Sequence, residues 1–321
     1  MKQQFDLKQQ LKSKGIGFLK DLLFSHTFFY TAFSVALNGF SKTSLELVQM
    51  GKRNKIKGRY AKKYANILQQ ELTSSSIPSS STKIVWTCWV QGEEQAPQIV
   101  RKALSSIKHA FKDYEVVVID HENLGKYVNL PVYILSKWKD GRIPNAHFSD
   151  IIRAYLLSRY GGIWIDATVM VHHLPKNYTY LLNQELFFYQ NLRPGQSGNA
   201  VWLSSWLIIA KKGEPTISRL YEMLLSYWRT HNHLQDYYLF HIFWHLILEK
   251  NPSILKNMPK IPNSLPLLLM YRLRDDNNLA VIDEAFASYP IQKITYKDMS
   301  SKGTIFGYLE EHGITDESDV V

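Results

Sequence analysis

Cysteine is almost absent from the chain: Cys88 is the single one among 321 residues. One thiol excludes an intramolecular disulfide and a four-cysteine metal site, and it suits a reducing, cytoplasmic setting. A long apolar run is missing too. The most apolar stretch, "LLFSHTFFYTAFSVAL" at residues 22–37, covers sixteen residues, short of the roughly 20 that a membrane-crossing helix needs. No small-residue cleavage site closes that run, so no secretory leader is expected. Neither a Gly-rich phosphate loop nor a Ser-His-Asp or Cys-His arrangement can be read. Acid is scarce only at the front, where residues 1–81 carry 13 Lys/Arg against 4 Asp/Glu and the remainder 25 against 24. The formal charge of +10 therefore belongs to the first quarter. No nucleic-acid-binding motif accompanies it, so nucleic acid is not an expected partner.

What is present divides the chain. Residues 52–63, "KRNKIKGRYAKK", hold seven basic residues and no acid, and they follow the apolar, aromatic run closely. Such a pairing lies on an anionic membrane face, or it is a buried helix with a solvated basic neighbour. "TSSSIPSSST" at 73–82, with six Ser and one Pro, reads as a flexible linker. The expected organisation is a helical, basic, membrane-associating arm over 1–72, the linker, and a main domain over 83–321. The acidic end "TDESDVV" reads as frayed.

The main domain opens as an α/β unit. "KIVWTCWV" (83–90) is a strand ended by the polar loop "QGEEQAP", "PQIVRKALSSIKHAF" (97–111) a helix, and "YEVVVID" (114–120) a strand covered on both faces. Strand, helix and strand at these lengths imply a right-handed crossover and a parallel pair. The ligand site is then expected beyond the carboxyl ends of the strands. "NAHFSDIIRAYLLSRYGG" (145–162) has a helical stripe of Phe148, Ile151, Ile152, Tyr155 and Leu156, and its Gly pair supplies a left-handed cap. "IWIDATVMV" follows as a strand. Further strand and helix signals fall at 204–212, 216–231 and 236–250, after which the pattern weakens.

Several side chains are candidates for chemistry. Asp150 and Arg153 form an i, i+3 pair, ordinarily a weak surface contact. At about 100° per residue, however, Leu157 falls between the two charges, opposite the apolar stripe. Both faces of the helix are thus covered, which places the pair in a cleft. There a guanidinium suits a phosphate and a carboxylate suits sugar hydroxyls. Asp166 is either a turn residue or a hard-cation ligand beside a diphosphate. Trp89 is either core or a platform for a nucleobase. His241 and His245 have the i, i+4 spacing of a zinc helix without its Glu. They read as packing residues, with His241 an outside candidate for a metal or phosphate contact.

Taken together, "KIVWTCWVQGEEQAPQIVRKALSSI", "YEVVVID" and "AHFSDIIRAYLLSRYGGIWIDATV" resemble the capsular polysaccharide synthesis proteins related to glycosyltransferase family 32, the DXD sugar-binding group. The likeness runs over about residues 83–175 and more loosely to about 250. It implies a GT-A-like, Rossmann-related mixed sheet flanked by helices, here with a helical N-terminal arm. The implied activity is transfer of a hexose, with retention, from a nucleotide-diphosphate sugar to a lipid-linked capsule or exopolysaccharide unit of a bacterium. The implied place is the inner face of the cell membrane. By position, Trp89 would stack on the base, Asp150 and Arg153 would hold the donor sugar and its phosphates, and Asp166 would be the first Asp of DXD. Arg153 and Asp166 would stabilise the leaving diphosphate, with a divalent cation (Mn2+ or Mg2+). Thr168 stands where relatives place the second Asp. Either Asp236 or His241 completes the cation's coordination, or basic residues neutralise the diphosphate instead. The departure also leaves open a different class, a catalytically silent glycan-binding or scaffold member of a synthesis complex.

Overall fold

A computed structural model of the protein describes residues 22, 23, 25–72, 83–192, 200–297 and 302–314. The Ser-rich linker and the acidic end lie outside the described residues. In the front part, α1 (Phe28–Asn38) leads through Gly39 to α2 (Lys42–Lys63). Ser41 caps α2, its side chain accepting from the Ser44 backbone N–H, as an N-terminal serine does. Ile56, Tyr60, Tyr64 and Leu68 are buried in the main core. The guanidinium of Arg219 further ties this end to the domain through the carbonyls of Ile67, Gln70 and Glu71. The second half of the arm is therefore packed onto the domain.

The main sheet has five strands in the order β2-β1-β3-β6-β5. β1 (Ile84–Cys88) and β2 (Glu115–Ile119) are parallel and joined by α3 (Gln98–Ala110), the crossover expected from the sequence. α3 buries Ile99, Val100, Ala103, Leu104 and Ile107. Fully burying each of the larger ones contributes roughly 1.5–3 kcal/mol. α4 (Asn145–Tyr160) returns the chain across β1 to β3 (Gly162–Ile165), which is parallel to β1 on its other edge. β5 (Leu186–Gln190) and β6 (Leu203–Ala210) complete the sheet, β6 antiparallel to β3 and β5 antiparallel to β6. α5 (Pro215–Thr230) and α6 (Leu239–Lys250) cover the α4 side, with α2 against α6. The mixed sheet between helices is the expected α/β class.

The expected strand over 163–171 is two strands. β3 ends at Ile165, the chain turns with the Val169 N–H donating to the Asp166 carbonyl, and β4 (Val169–Val171) enters a second sheet. There it pairs antiparallel with β7 (Ile291–Lys293), which follows α7 (Leu279–Ser288). α8 (Ile305–His312) packs on α3. The apolar residues continue through the turn, because each half is buried in a different place.

The Gly pair fixes the approach of α4 to β3. Gly161 and Gly162 have φ of 70° and 103°, values that side chains disfavour. A Cβ on Gly161 would lie 2.4 Å from the Lys212 nitrogen, and one on Gly162 2.6 Å from the Ile84 carbonyl oxygen. The Trp86 indole N–H donates to the Gly161 carbonyl at 2.9 Å, closing the corner. Asp166 thereby stands directly beneath the helix that carries Asp150 and Arg153.

Candidate active site

A cleft of about 240 Å3 opens beyond the carboxyl ends of β1 and β3. The connections from these strands diverge here, which is the usual place for a ligand in such a sheet. Trp89 and Val90 line it after β1, Ser149, Asp150 and Arg153 from α4, and Asp166, Ala167 and Thr168 after β3. Tyr237, His241, Ser205 and Tyr296 close the other side.

Arg153 lies at the floor, 4% exposed. Its Nη1 donates to Asp150 Oδ1 at 2.8 Å and its Nη2 to Asp166 Oδ1 at 2.9 Å. The guanidinium also faces the rings of Trp164 and Phe240, at 4.7 and 5.3 Å. Arg153 therefore holds the two carboxylates in place, and both terminal nitrogens face protein. Trp164 Nε1 donates to Asp166 Oδ1 as well, at 2.9 Å. His147 Nδ1 stands 3.3 Å from Asp150 Oδ2. Burial pushes the Asp150 carboxyl up, but Arg153 and then His147 outweigh it, and the net shift is below the usual carboxylate range.

A cation that sequence reasoning missed completes this corner. Lys293 Nζ donates to Asp166 Oδ2 at 3.4 Å and to Thr168 Oγ1. Burial lowers the Lys293 ammonium below the usual lysine range, and Asp166 opposes that shift. Lys293 reaches the site because β7 pairs with β4, setting Lys293 opposite Val169. No pattern in "PIQKI" marks it: Gln292 and Lys293 are adjacent polar residues, the first buried and the second partly open.

Trp89 lines the wall of the cleft. Its ring meets Tyr296 edge-on at 5.2 Å, and its buried Nε1 has no hydrogen-bond partner among the described residues. His241 lines the cleft, and burial pulls its imidazole down to about 4. Asp236 is not part of the lining; its Oδ1 accepts from the Tyr238 N–H at 2.8 Å, at the start of α6. His245 points to the α2 side, 3.3 Å from Lys57 Nζ. Burial pushes the Cys88 thiol up to about 12, so it is no nucleophile at neutral pH.

The fit to a divalent cation is poor. Such an ion takes several oxygen ligands, yet both Asp166 oxygens face donors and Thr168 faces an ammonium. Among the described residues no group of three or more His, Cys, Asp or Glu could hold a metal ion.

A family model described as capsular polysaccharide synthesis protein matches residues 38–310. The chain belongs to this family. Among curated proteins it is 27% identical over 198 residues to "O-glycosyltransferase braB" of Annulohypoxylon truncatum, across 57% of this chain and 46% of that protein. It is 24% identical over 168 residues to "Probable glycosyltransferase FCK3" of Fusarium pseudograminearum, across 49% of this chain and 42% of that protein. Both relatives are fungal, and the chain spans less than half the length of each. Among solved structures it is similar to "PaToxG Glycosyltransferase", with a TM-score of 0.34 and 14% identity over 84% of this chain and 98% of that one. A glycosyltransferase involved in glycosylation of the major capsid of PBCV-1 has a TM-score of 0.34 and 10% identity, over 72% of this chain and 98% of that one.

Proposed function

We propose that this family member is a glycosyltransferase that moves a hexose from a nucleotide-diphosphate sugar to a hydroxyl of a growing, lipid-linked polysaccharide unit. The observation that carries the reading is the triad of Asp150, Arg153 and Asp166 at the carboxyl ends of β1 and β3. It sits beside Trp89, whose ring borders the same cleft. In this reading the base lies against Trp89, as in ring-stacking sites, and Asp150 and Asp166 accept hydrogen bonds from sugar hydroxyls. The bond between the anomeric carbon and the diphosphate oxygen breaks, and its electron pair goes to the diphosphate. The acceptor oxygen bonds the anomeric carbon, and its proton passes to solvent. Stabilising the departing charge is usually the largest catalytic contribution. Arg153 engages both cleft carboxylates, which disfavours either as a covalent nucleophile; in this reading retention proceeds by front-face attack.

The acceptor reading rests on the arm. Phe29, Phe33 and Leu37 recur at i, i+4 and i+8 on α1, and they are 84%, 66% and 69% exposed, with Phe40 following at 59%. Exposed Lys55, Lys62 and Lys63 lie on α2. An aromatic stripe beside basic residues suits peripheral attachment to an anionic membrane, here the cytoplasmic face. No described helix is long and apolar enough to cross a membrane. The Arg53 guanidinium stacks over Tyr238 at 4.4 Å, one residue from Tyr237 of the cleft wall, so α2 links the arm to the cleft.

Nucleoside-diphosphate release from a panel of nucleotide sugars tests the reading, together with thermal shift by UDP and GDP. Turnover of one donor is expected. A folded chain that neither binds nor turns over any donor would favour the silent scaffold.

A further inference from the structure

Resting on the glycosyltransferase reading, we propose that the Lys293 ammonium takes the place of a divalent cation between Asp166 and Thr168, so that the cleft holds a nucleoside diphosphate without metal. The two side chains flanking Ala167 are the pair that a bridging cation would contact. In this chain they already converge on one ammonium. Oxygen ligands of Mg2+ or Ca2+ stand about 2.0–2.6 Å from the ion. A metal bridging Asp166 Oδ2 and Thr168 Oγ1 would compete with the ammonium for the same two oxygens, and like charges at such range repel strongly.

The donor set matches a fixed ammonium. Thr168 offers a neutral hydroxyl, which accepts a hydrogen bond well and ligates a hard cation weakly beside a carboxylate. Asp166 Oδ1 is taken by Arg153 and Trp164, which leaves Oδ2 for Lys293. An ammonium has three N–H donors. Two are engaged, and the third has no protein partner among the described residues. The Lys293 side chain is 16% exposed, and its two partners, Asp166 and Thr168, line the cleft.

Lys293 is also held rigidly. Its neighbour Gln292 is 0% exposed. The Gln292 Oε1 accepts from the Leu269 N–H at 3.1 Å, and its Nε2 donates to the Ala285 and Tyr289 carbonyls at 2.9 and 2.8 Å. Pairing with β4 fixes the backbone, and Asp166 and Thr168 hold the ammonium where charge would develop on a bound diphosphate. Such preorganisation is what makes a fixed charge effective.

Isothermal titration of the full chain with UDP, GDP and inorganic pyrophosphate, in EDTA and in Mn2+, decides the matter. At least one probe is expected to bind, with Kd values in the two conditions within about threefold. Lys293→Met should weaken that binding at least tenfold in EDTA, and Lys293→Arg should recover part of it; an unchanged thermal midpoint shows that each variant is folded. Binding that requires Mn2+, or a folded Lys293→Met that binds as the wild type does in EDTA, overturns the proposal and leaves the transferase reading intact. Absence of binding by every probe in both conditions overturns the two together.

Discussion

Arg153 Nη2 and Asp166 Oδ1 meet at 2.9 Å across thirteen residues of sequence, and this contact joins the helix and the strand that form the proposed donor site. It places a buried cation between two carboxylates. Losing one member of a buried ion pair costs about 3–5 kcal/mol, because the partner is left uncompensated. Arg153→Ala should therefore lower the thermal midpoint markedly. Arg153→Lys should keep some stability and lose activity, since a single ammonium does not reproduce the two-pronged geometry. Unfolding curves of the two variants, beside their turnover, check this.

Gly162 provides a sharp backbone test. Its φ of 103° and the 2.6 Å separation between an added Cβ and the Ile84 carbonyl oxygen make Gly162→Ala strongly destabilising. At Gly58, inside α2, nothing lies within 4 Å of an added Cβ. Gly58→Ala should stabilise by roughly 0.5–1 kcal/mol. Denaturant titration of both variants is expected to show opposite signs.

The α4 helix was legible in the sequence because its apolar stripe has helical period and a Gly pair ends it. The convergence of Asp150, Arg153 and Asp166 followed, because only a short turn separates helix from strand. Lys293 was not readable. It lies 125 residues from Thr168, and the three-residue strand that carries it has too little pattern to reveal a partner. The break after β3 was hidden for a different reason: Val169, Met170 and Val171 are as buried as the strand before them, so hydrophobicity does not mark the change of sheet. β5 escaped as well, its five residues all buried and therefore without alternation.

The pH dependence has a definite sign. The folded-state value of His241, about 4, lies below the ordinary 6.5, so the unfolded chain binds the proton more readily. The resulting stability is fully present above about pH 6.5 and is lost as the pH falls toward 4. The depressed Asp150 carboxyl adds a second loss at lower pH. Thermal midpoints measured from pH 7.5 to 4 should fall, and His241→Gln should flatten the upper part of that slope.

The membrane reading predicts selective flotation. Wild-type protein should rise with vesicles containing anionic lipid and much less with neutral ones, and high salt should weaken the effect. Phe29→Glu with Phe33→Glu should reduce flotation severalfold while leaving the midpoint nearly unchanged, since both rings are exposed. Equal flotation of the double variant would contradict it.

Nucleoside-diphosphate release from a nucleotide-sugar panel, with wild type and Asp166→Asn side by side, addresses the central claim most directly. The substitution keeps the shape of the side chain and removes the charge that Arg153, Trp164 and Lys293 all contact. Turnover of at least one donor by the wild type is expected, and a loss of about a hundredfold or more in Asp166→Asn. Full turnover by Asp166→Asn would contradict the account.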